Sequence, residues 1–194
     1  MKNKIILASS SPRRKQLMEM IGLEFEIIVS NADENAAGTG CEQAAALAAR
    51  KALAVANISD KAVIIGADTL VEINGQVLGK PANAQEAFDM LKTLQGQAHM
   101  VHTGVAIIDT SVSGNMHSFV ESAKVFFRKL DDAEIHSYIA TGEPFDKAGA
   151  YGIQGRGAVL VEKIDGDFYA VMGLPIAKLA VALKEMGINI WAQV

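Results

Sequence analysis

Cysteine is almost absent from this chain. Cys41 stands alone among 194 residues, which excludes an internal disulfide and a structural zinc site of the four-ligand kind. Histidine is scarce too. His99 and His102 fall three apart in a strand-like segment and so point to opposite faces. His117 and His136 are scattered, a poor set for a histidine metal site. A basic excess is lacking: 18 Lys and Arg face 22 Asp and Glu, a net charge of −4. That balance argues against a general nucleic-acid surface, so any anion site must be local. No apolar run approaches the ~20 residues of a membrane helix, and the longest, such as Ala62 to Ala67, read as buried strands. Ile5 to Ala8 is too short for the apolar core of a signal peptide. The expectation is a cytoplasmic protein with no nucleic-acid partner and no membrane partner. Aromatic residues make up only 6%, and the single Trp191 reads as a packing anchor rather than a base-stacking platform.

What is present suffices for a core. Half the residues are hydrophobic and 21% charged, which argues against disorder, and a chain of this length can bury roughly 70% of its extended surface. We expect one domain over residues 1–194. Lys4 to Ala8 predicts a strand, and Ser11-Pro12 a helix start, with Leu17, Met20 and Ile21 as its apolar positions and Gly22 as its stop. Phe25 to Val29 predicts a second strand and residues 42–56 an Ala-rich helix. Ala62 to Ile73 predicts a long strand, turned by Asn74-Gly75 into Gln76 to Leu78. Asn83 with Glu86 resembles a capping box for a helix through Leu94. Val101 to Ile108 and Ser118 to Phe127 predict an antiparallel ribbon, and Asp131 with Glu134 a further helix. Val159 to Ile164 and Phe168 to Val171 flank Asp165-Gly166, a hairpin signal, before a helix started by Pro175. Early alternation and later hairpins together indicate an α/β fold with a mixed sheet.

Three segments could carry chemistry. Ser9-Ser10-Ser11-Pro12-Arg13-Arg14 gathers hydroxyls, backbone N–H groups and two guanidinium groups at a helix start, a suitable place for a phosphate. The same residues also read as an ordinary Ser cap followed by two solvated arginines. Asp68 interrupts an apolar strand, where a carboxylate is costly unless a cation or hydrogen bonds meet it. Its place late in the run suits the carboxyl end of a strand, where α/β sheets bind ligands; a structural Asp bonding nearby backbone remains the other reading. Thr141 to Gly155, with Glu143, Asp146 and Lys147 among glycines, fits a loop that brings backbone close to a ligand, or a solvated loop with a weak Asp–Lys pair. Gly75 to Lys80 is one spacer short of a P-loop, and Gly155-Arg156-Gly157 lacks the third glycine of a dinucleotide fingerprint.

Together these stretches resemble the Maf family of nucleoside triphosphate pyrophosphatases. The resemblance is carried by Leu7 to Arg14, Gly66-Ala67-Asp68-Thr69, Leu78-Gly79-Lys80-Pro81, Thr141 to Gly155 and Gly173-Leu174-Pro175. It implies an inosine-triphosphate-pyrophosphatase-like fold: a long mixed β-sheet flanked by helices, with a cleft between two lobes. It also implies hydrolysis of a nucleoside triphosphate to the monophosphate and pyrophosphate, a divalent metal cation (Mg or Mn) and a homodimer. By position, Asp68 matches the family's proton acceptor and a candidate metal ligand. Ser9, Arg13, Arg14, Lys51 and Lys80 match the phosphate-binding positions, and Glu34 an acidic one at the cleft, where Asp146 and Lys147 are further candidates. Arg13, Thr69 and Gln154 resemble the substrate-specificity combination of the branch acting on dTTP and UTP, with CTP and modified pyrimidine nucleotides as additional candidates. The alternative is a non-catalytic nucleotide-binding regulator of cell division and septum formation.

Overall fold

The apolar run from Ala62 becomes the spine of the molecule. A computed structural model describes residues 4–112 and 116–193; residues 1–3, the start of the segment too short for a signal peptide, lie outside them. In chain order the elements are β1 (Lys4–Leu7), α1 (Pro12–Met20), β2 (Glu26–Ile27), α2 (Gly40–Ala56), β3 (Ala62–Ile73), β4 (Gln76–Leu78) and α3 (Ala84–Leu94). They continue as β5 (Ala98–Asp109), β6 (Met116–Phe127), α4 (Asp132–Ile139), β7 (Val161–Asp165), α5 (Phe168–Met172) and α6 (Ile176–Glu185). Short 3₁₀ turns at Glu143–Asp146, Ala148–Ala150 and Gly155–Leu160 fill the span between α4 and β7. The seven strands form one mixed sheet in the order β2-β1-β3-β5-β6-β7, with β4 also on β3. β1 is parallel to β2 and β3, and the other pairings are antiparallel.

Strand alternation divides the core. On one face Val63, Ile65 and Ala67 of β3 pack with α1 and α6 through Leu17, Met18, Leu179 and Leu183. Further along β3, Val71 and Ile73 pack with α3 and α4 through Leu91, Leu94, Ile135 and Ile139. These are the two lobes. The intervening residues Ile64 and Ala62 face the other way, against Ala48, Ala52 and Val55 of α2. There the helix lies directly on the sheet, because two glycines leave it room. A Cβ on Gly66 would stand 2.5 Å from the carbonyl oxygen of Ala48, and one on Gly104 would overlap the backbone of Ala44.

The structure corrects several expectations. Phe168–Met172 is a helix and not the second strand of a hairpin: Gly166 turns the chain at φ 130° and the Asp167 side chain accepts from the Tyr169 N–H at 2.8 Å, a helix cap. Phe25 to Val29 contributes only Glu26–Ile27. Met20 is 53% exposed, and α1 instead buries Arg14, Leu17 and Met18, an i, i+3, i+4 face. Glu86 accepts from Ala82 and not from Asn83, so Asn83 caps α3 without a reciprocal box. Trp191 is 80% exposed and anchors no packing.

His99 is buried against Phe127 and Tyr151, with Nε2 2.7 Å from the Tyr151 hydroxyl. Burial lowers its pKa to about 4. An unfolded His, at its ordinary value near 6.5, therefore takes up a proton that the folded one refuses as pH falls between these values. Unfolding free energy should drop by about 2 kcal/mol from this group between pH 7 and pH 5, and urea titrations should show His99→Gln losing that slope. At the helix–sheet contact, Gly104→Ala should destabilise the protein by about 1–3 kcal/mol in the same assay, as overpacking against backbone.

Candidate active site

One edge of β3 is left open at its middle. β1 pairs with β3 only at Ala62 to Ile65, and β4 only at Val71 to Ile73. Between them Gly66 to Leu70 are paired on the β5 side alone. Past Leu7 the chain turns away into α1 through Ser9-Ser10-Ser11, and past Leu78 it turns away through Gly79-Lys80. The gap opens into a cleft of ≈ 530 Å³ lined by both departures, by Asp68 and Thr69, and by the loop from Asp146 to Ile153. That volume suits a small-molecule ligand. Consecutive strand residues face opposite sides of a sheet, yet Asp68 and Thr69 both line this cleft, because it straddles an open edge. Asp68 thus sits mid-strand, not at the carboxyl end of β3; the strand that ends beside it is β1.

Asp68 faces α2 and meets Lys51 from that helix. Lys51 Nζ donates to Asp68 Oδ1 at 2.5 Å and stands 2.9 Å from Glu34 Oε1. The hydrogen bond and charge of Lys51 hold the Glu34 carboxyl below its ordinary value. The segment carrying Glu34 is itself tied down: Arg50 donates to the Asn35 carbonyl, and Asp33 accepts from the Asn35 N–H at 3.0 Å. An ammonium thus bridges two carboxylates at the cleft wall.

Arg13 and Arg14 have different lives. Ser11 caps α1, with its side chain accepting from the Arg14 N–H. The Arg14 side chain turns inward and is 8% exposed. Its Nε donates to the Gly173 carbonyl at 2.8 Å, Nη1 to Ser9 Oγ at 3.2 Å and Nη2 to Thr69 Oγ1 at 3.0 Å. Burial lowers its pKa, opposed by the charge of Asp68. Arg13 stays at the surface, 3.1 Å from Asp146. Asp146 also accepts from Lys147 at 2.6 Å; burial pushes its carboxyl up, but Lys147 and Arg13 outweigh this and hold it below its ordinary value.

Glu143 organises the loop. Its carboxylate accepts from the Tyr138 hydroxyl and from the N–H groups of Arg156 and Gly157, all at 3.0 Å. The N–H of Gly149, at φ 66°, donates to the Gly79 carbonyl at 3.0 Å, which fastens this loop beside Lys80.

Five cationic side chains line the cleft, Arg13, Arg14, Lys51, Lys80 and Lys147, against three carboxylates, Glu34, Asp68 and Asp146. A locally positive cleft on a chain of net charge −4 is suited to a polyanion. With Ser9 and Thr69, these are all the sequence-selected candidates but one. Gln154 is outside the lining; its neighbours Tyr151, Gly152 and Ile153 are inside it. Gln154 directly precedes the 3₁₀ turn Gly155–Leu160, with extended backbone at φ −110° and ψ 171°. Sequence reasoning missed Thr103, the buried partner of Thr69, since a lone Thr in an apolar strand carries no signal until its register is known.

Among the described residues no group of three or more His, Cys, Asp and Glu is arranged to hold a metal ion. The cleft does offer Asp68 and Glu34 as oxygen donors on one wall. Magnesium is commonly held by one or two carboxylates completed by substrate phosphates, so the residues fit a divalent cation that enters with a phosphate chain.

Comparison with known proteins extends this picture. A family model described as Maf-like protein matches residues 4–186. A protein of Pelotomaculum thermopropionicum named dTTP/UTP pyrophosphatase is 50% identical over 188 residues, covering 96% of this chain and 98% of that one. A Bacillus cereus protein of the same name is 47% identical, covering 96% and 97%. The solved structure of the Staphylococcus aureus Ham1 protein shares the fold, with a TM-score of 0.50 at 15% identity over 81% of this chain and 79% of that one.

The two arginines should separate in a stability assay. Arg14→Met leaves the Gly173 carbonyl without its charged donor and should lower unfolding free energy by about 1–3 kcal/mol. Arg13→Ala removes a surface pair and should cost less than about 1 kcal/mol. Urea unfolding at pH 7 measures both.

Proposed function

Because this chain belongs to the Maf-like family, matched over residues 4–186, we propose that it hydrolyses dTTP and UTP to the nucleoside monophosphate and pyrophosphate. The near-full-length relatives named for that activity support the substrate. The observation that carries the chemistry is a carboxylate held 2.5 Å from an ammonium inside a cation-lined cleft.

Hydrolysis of a triphosphate needs its oxygens neutralised and a water deprotonated as it attacks. Arg13, Lys80 and Lys147 border the cleft and can neutralise the phosphate chain. The Ser9 hydroxyl can add a hydrogen bond: it already accepts from Arg14 Nη1 and the Ser11 N–H, so its own hydrogen is free to donate. Lys51 has a dual part. It partners Asp68, and its ammonium can swing to a phosphate oxygen, leaving the Asp68 carboxylate to take the proton from water. A divalent cation, Mg or Mn, held by Asp68 and Glu34 would acidify that water and share the phosphate charge. Family resemblance further supports a homodimer working in the cytoplasm.

Asp68→Asn is nearly isosteric and should retain the melting temperature while turnover falls ~10²-fold or more, as for loss of a positioned base. Initial rates on dTTP, UTP, CTP, GTP and 7-methyl-GTP, with products identified, test the substrate. Preference for dTTP and UTP with pyrophosphate release is expected. A guanine nucleotide used best would overturn the base assignment, and nucleotide binding without pyrophosphate would overturn the enzyme in favour of a regulator.

A further inference from the structure

Thr103 does not line the cleft, yet it dictates what Thr69 can offer there. The two residues are register partners on β3 and β5 and therefore share a face of the sheet. Their hydroxyl oxygens lie 2.8 Å apart. Thr103, 0% exposed, also stands 2.7 Å from the carbonyl oxygen of Ala170 in α5. A carbonyl only accepts and a hydroxyl has one hydrogen. Thr103 spends that hydrogen on Ala170, so the bond between the threonines must carry the hydrogen of Thr69. Thr69 in turn accepts from Arg14 Nη2 at 3.0 Å. Its hydrogen and one lone pair are thus committed, and a single lone pair is left.

The polarity of this hydroxyl is the reverse of Ser9's. One guanidinium holds both: Ser9 has its lone pairs filled and a hydrogen to give, whereas Thr69 has only a lone pair to give. Phosphate oxygens accept, so they suit Ser9 and not Thr69. The group that meets Thr69 must bring a hydrogen. On thymine and uracil the pairing edge has one donor, N3–H, at its middle. Cytosine carries its donor hydrogens on the exocyclic N4 amine instead, and its bare N3 at that middle position would meet Thr69 lone pair to lone pair.

We infer that Thr103 is a positioning residue for base selection: by taking the hydrogen of Thr69 it makes that hydroxyl an acceptor for the N3–H of a thymine or uracil ring. This inference rests on the dTTP/UTP reading above. Removing the Thr103 hydroxyl frees the hydrogen of Thr69 to turn toward a ligand and donate, which admits cytosine.

The test is the ratio of kcat/KM for UTP to that for CTP, two nucleotides with the same sugar, phosphates and ring size. Thr103→Val should lower the ratio about tenfold or more, the scale of one mismatched hydrogen bond, chiefly through a rise in CTP use. Thr103→Ser, which keeps the hydroxyl, should retain the parent ratio. If Thr103→Val does not fold, Thr103→Ala at the same position is expected to shift the ratio the same way. A ratio within twofold of the parent in the hydroxyl-free variant, with both rates lowered alike, would overturn the inference and place Thr69 against a sugar hydroxyl. A shift as large in Thr103→Ser as in the hydroxyl-free variant would overturn it as well. A parent that releases no pyrophosphate from any nucleotide fails the activity itself, and the inference with it. A parent that prefers dTTP and UTP beside an unmoved ratio fails the inference alone.

Discussion

The contact on which the site depends is the direct seating of α2 on the sheet at Gly66 and Gly104. Neither glycine is needed for an unusual backbone angle. Each is needed for space, because a Cβ there would meet the α2 backbone around Ala44, Ala48 and Ala52. With small residues on both sides, the helix lies close enough for Lys51 to reach Asp68 across the interface at 2.5 Å. Close packing of this kind tolerates no extra methyl, so steric clearance brings the Lys51 backbone within reach and the charge-assisted hydrogen bond then closes the gap to Asp68.

The second constraint is the open edge of β3. A continuous partner strand would satisfy the backbone of Gly66 to Leu70 and bury Asp68 and Thr69 beyond reach. Instead two short partners stop on either side of the gap. The chains leaving them carry Ser9 to Arg14 and Lys80 to the cleft rim. Because the cleft straddles the edge, side chains from both faces of one strand enter it: Asp68 with Lys51 from the α2 face, and Thr69 with Arg14 from the face of the two lobes. Chemistry and recognition can therefore be held by neighbouring residues without crowding each other.

Arg14 unites the second half. It is a buried cation, and burying a charge is tolerated only when hydrogen bonds replace water. The Gly173 carbonyl, Ser9 and Thr69 supply them, which offsets the cost of two adjacent arginines at a helix start. Only Arg13 remains as a surface charge, paired with Asp146.

Much of this was legible in the residues alone. The long strand Ala62–Ile73, its Asn-Gly turn, the Ser11-Pro12 helix start and the helix begun at Asp131 and Glu134 follow from local rules of period and capping, which act within a few residues. The functional segments also announced themselves, as a carboxylate in an apolar strand and hydroxyls beside arginines are costly unless something answers them. What only tertiary structure decided lies between distant segments. Phe168–Met172 is apolar enough for a strand, and its Asp167 cap and its packing on β5 decided for a helix. Which arginine is buried, which lysine meets Asp68, and that Thr103 stands behind Thr69 depend on register and on the α2 approach. These are contacts between residues separated by 17 to 159 positions. Sequence rules reach as far as the next turn; the direction of a hydrogen bond between two threonines on neighbouring strands is set by a carbonyl brought from a distant helix.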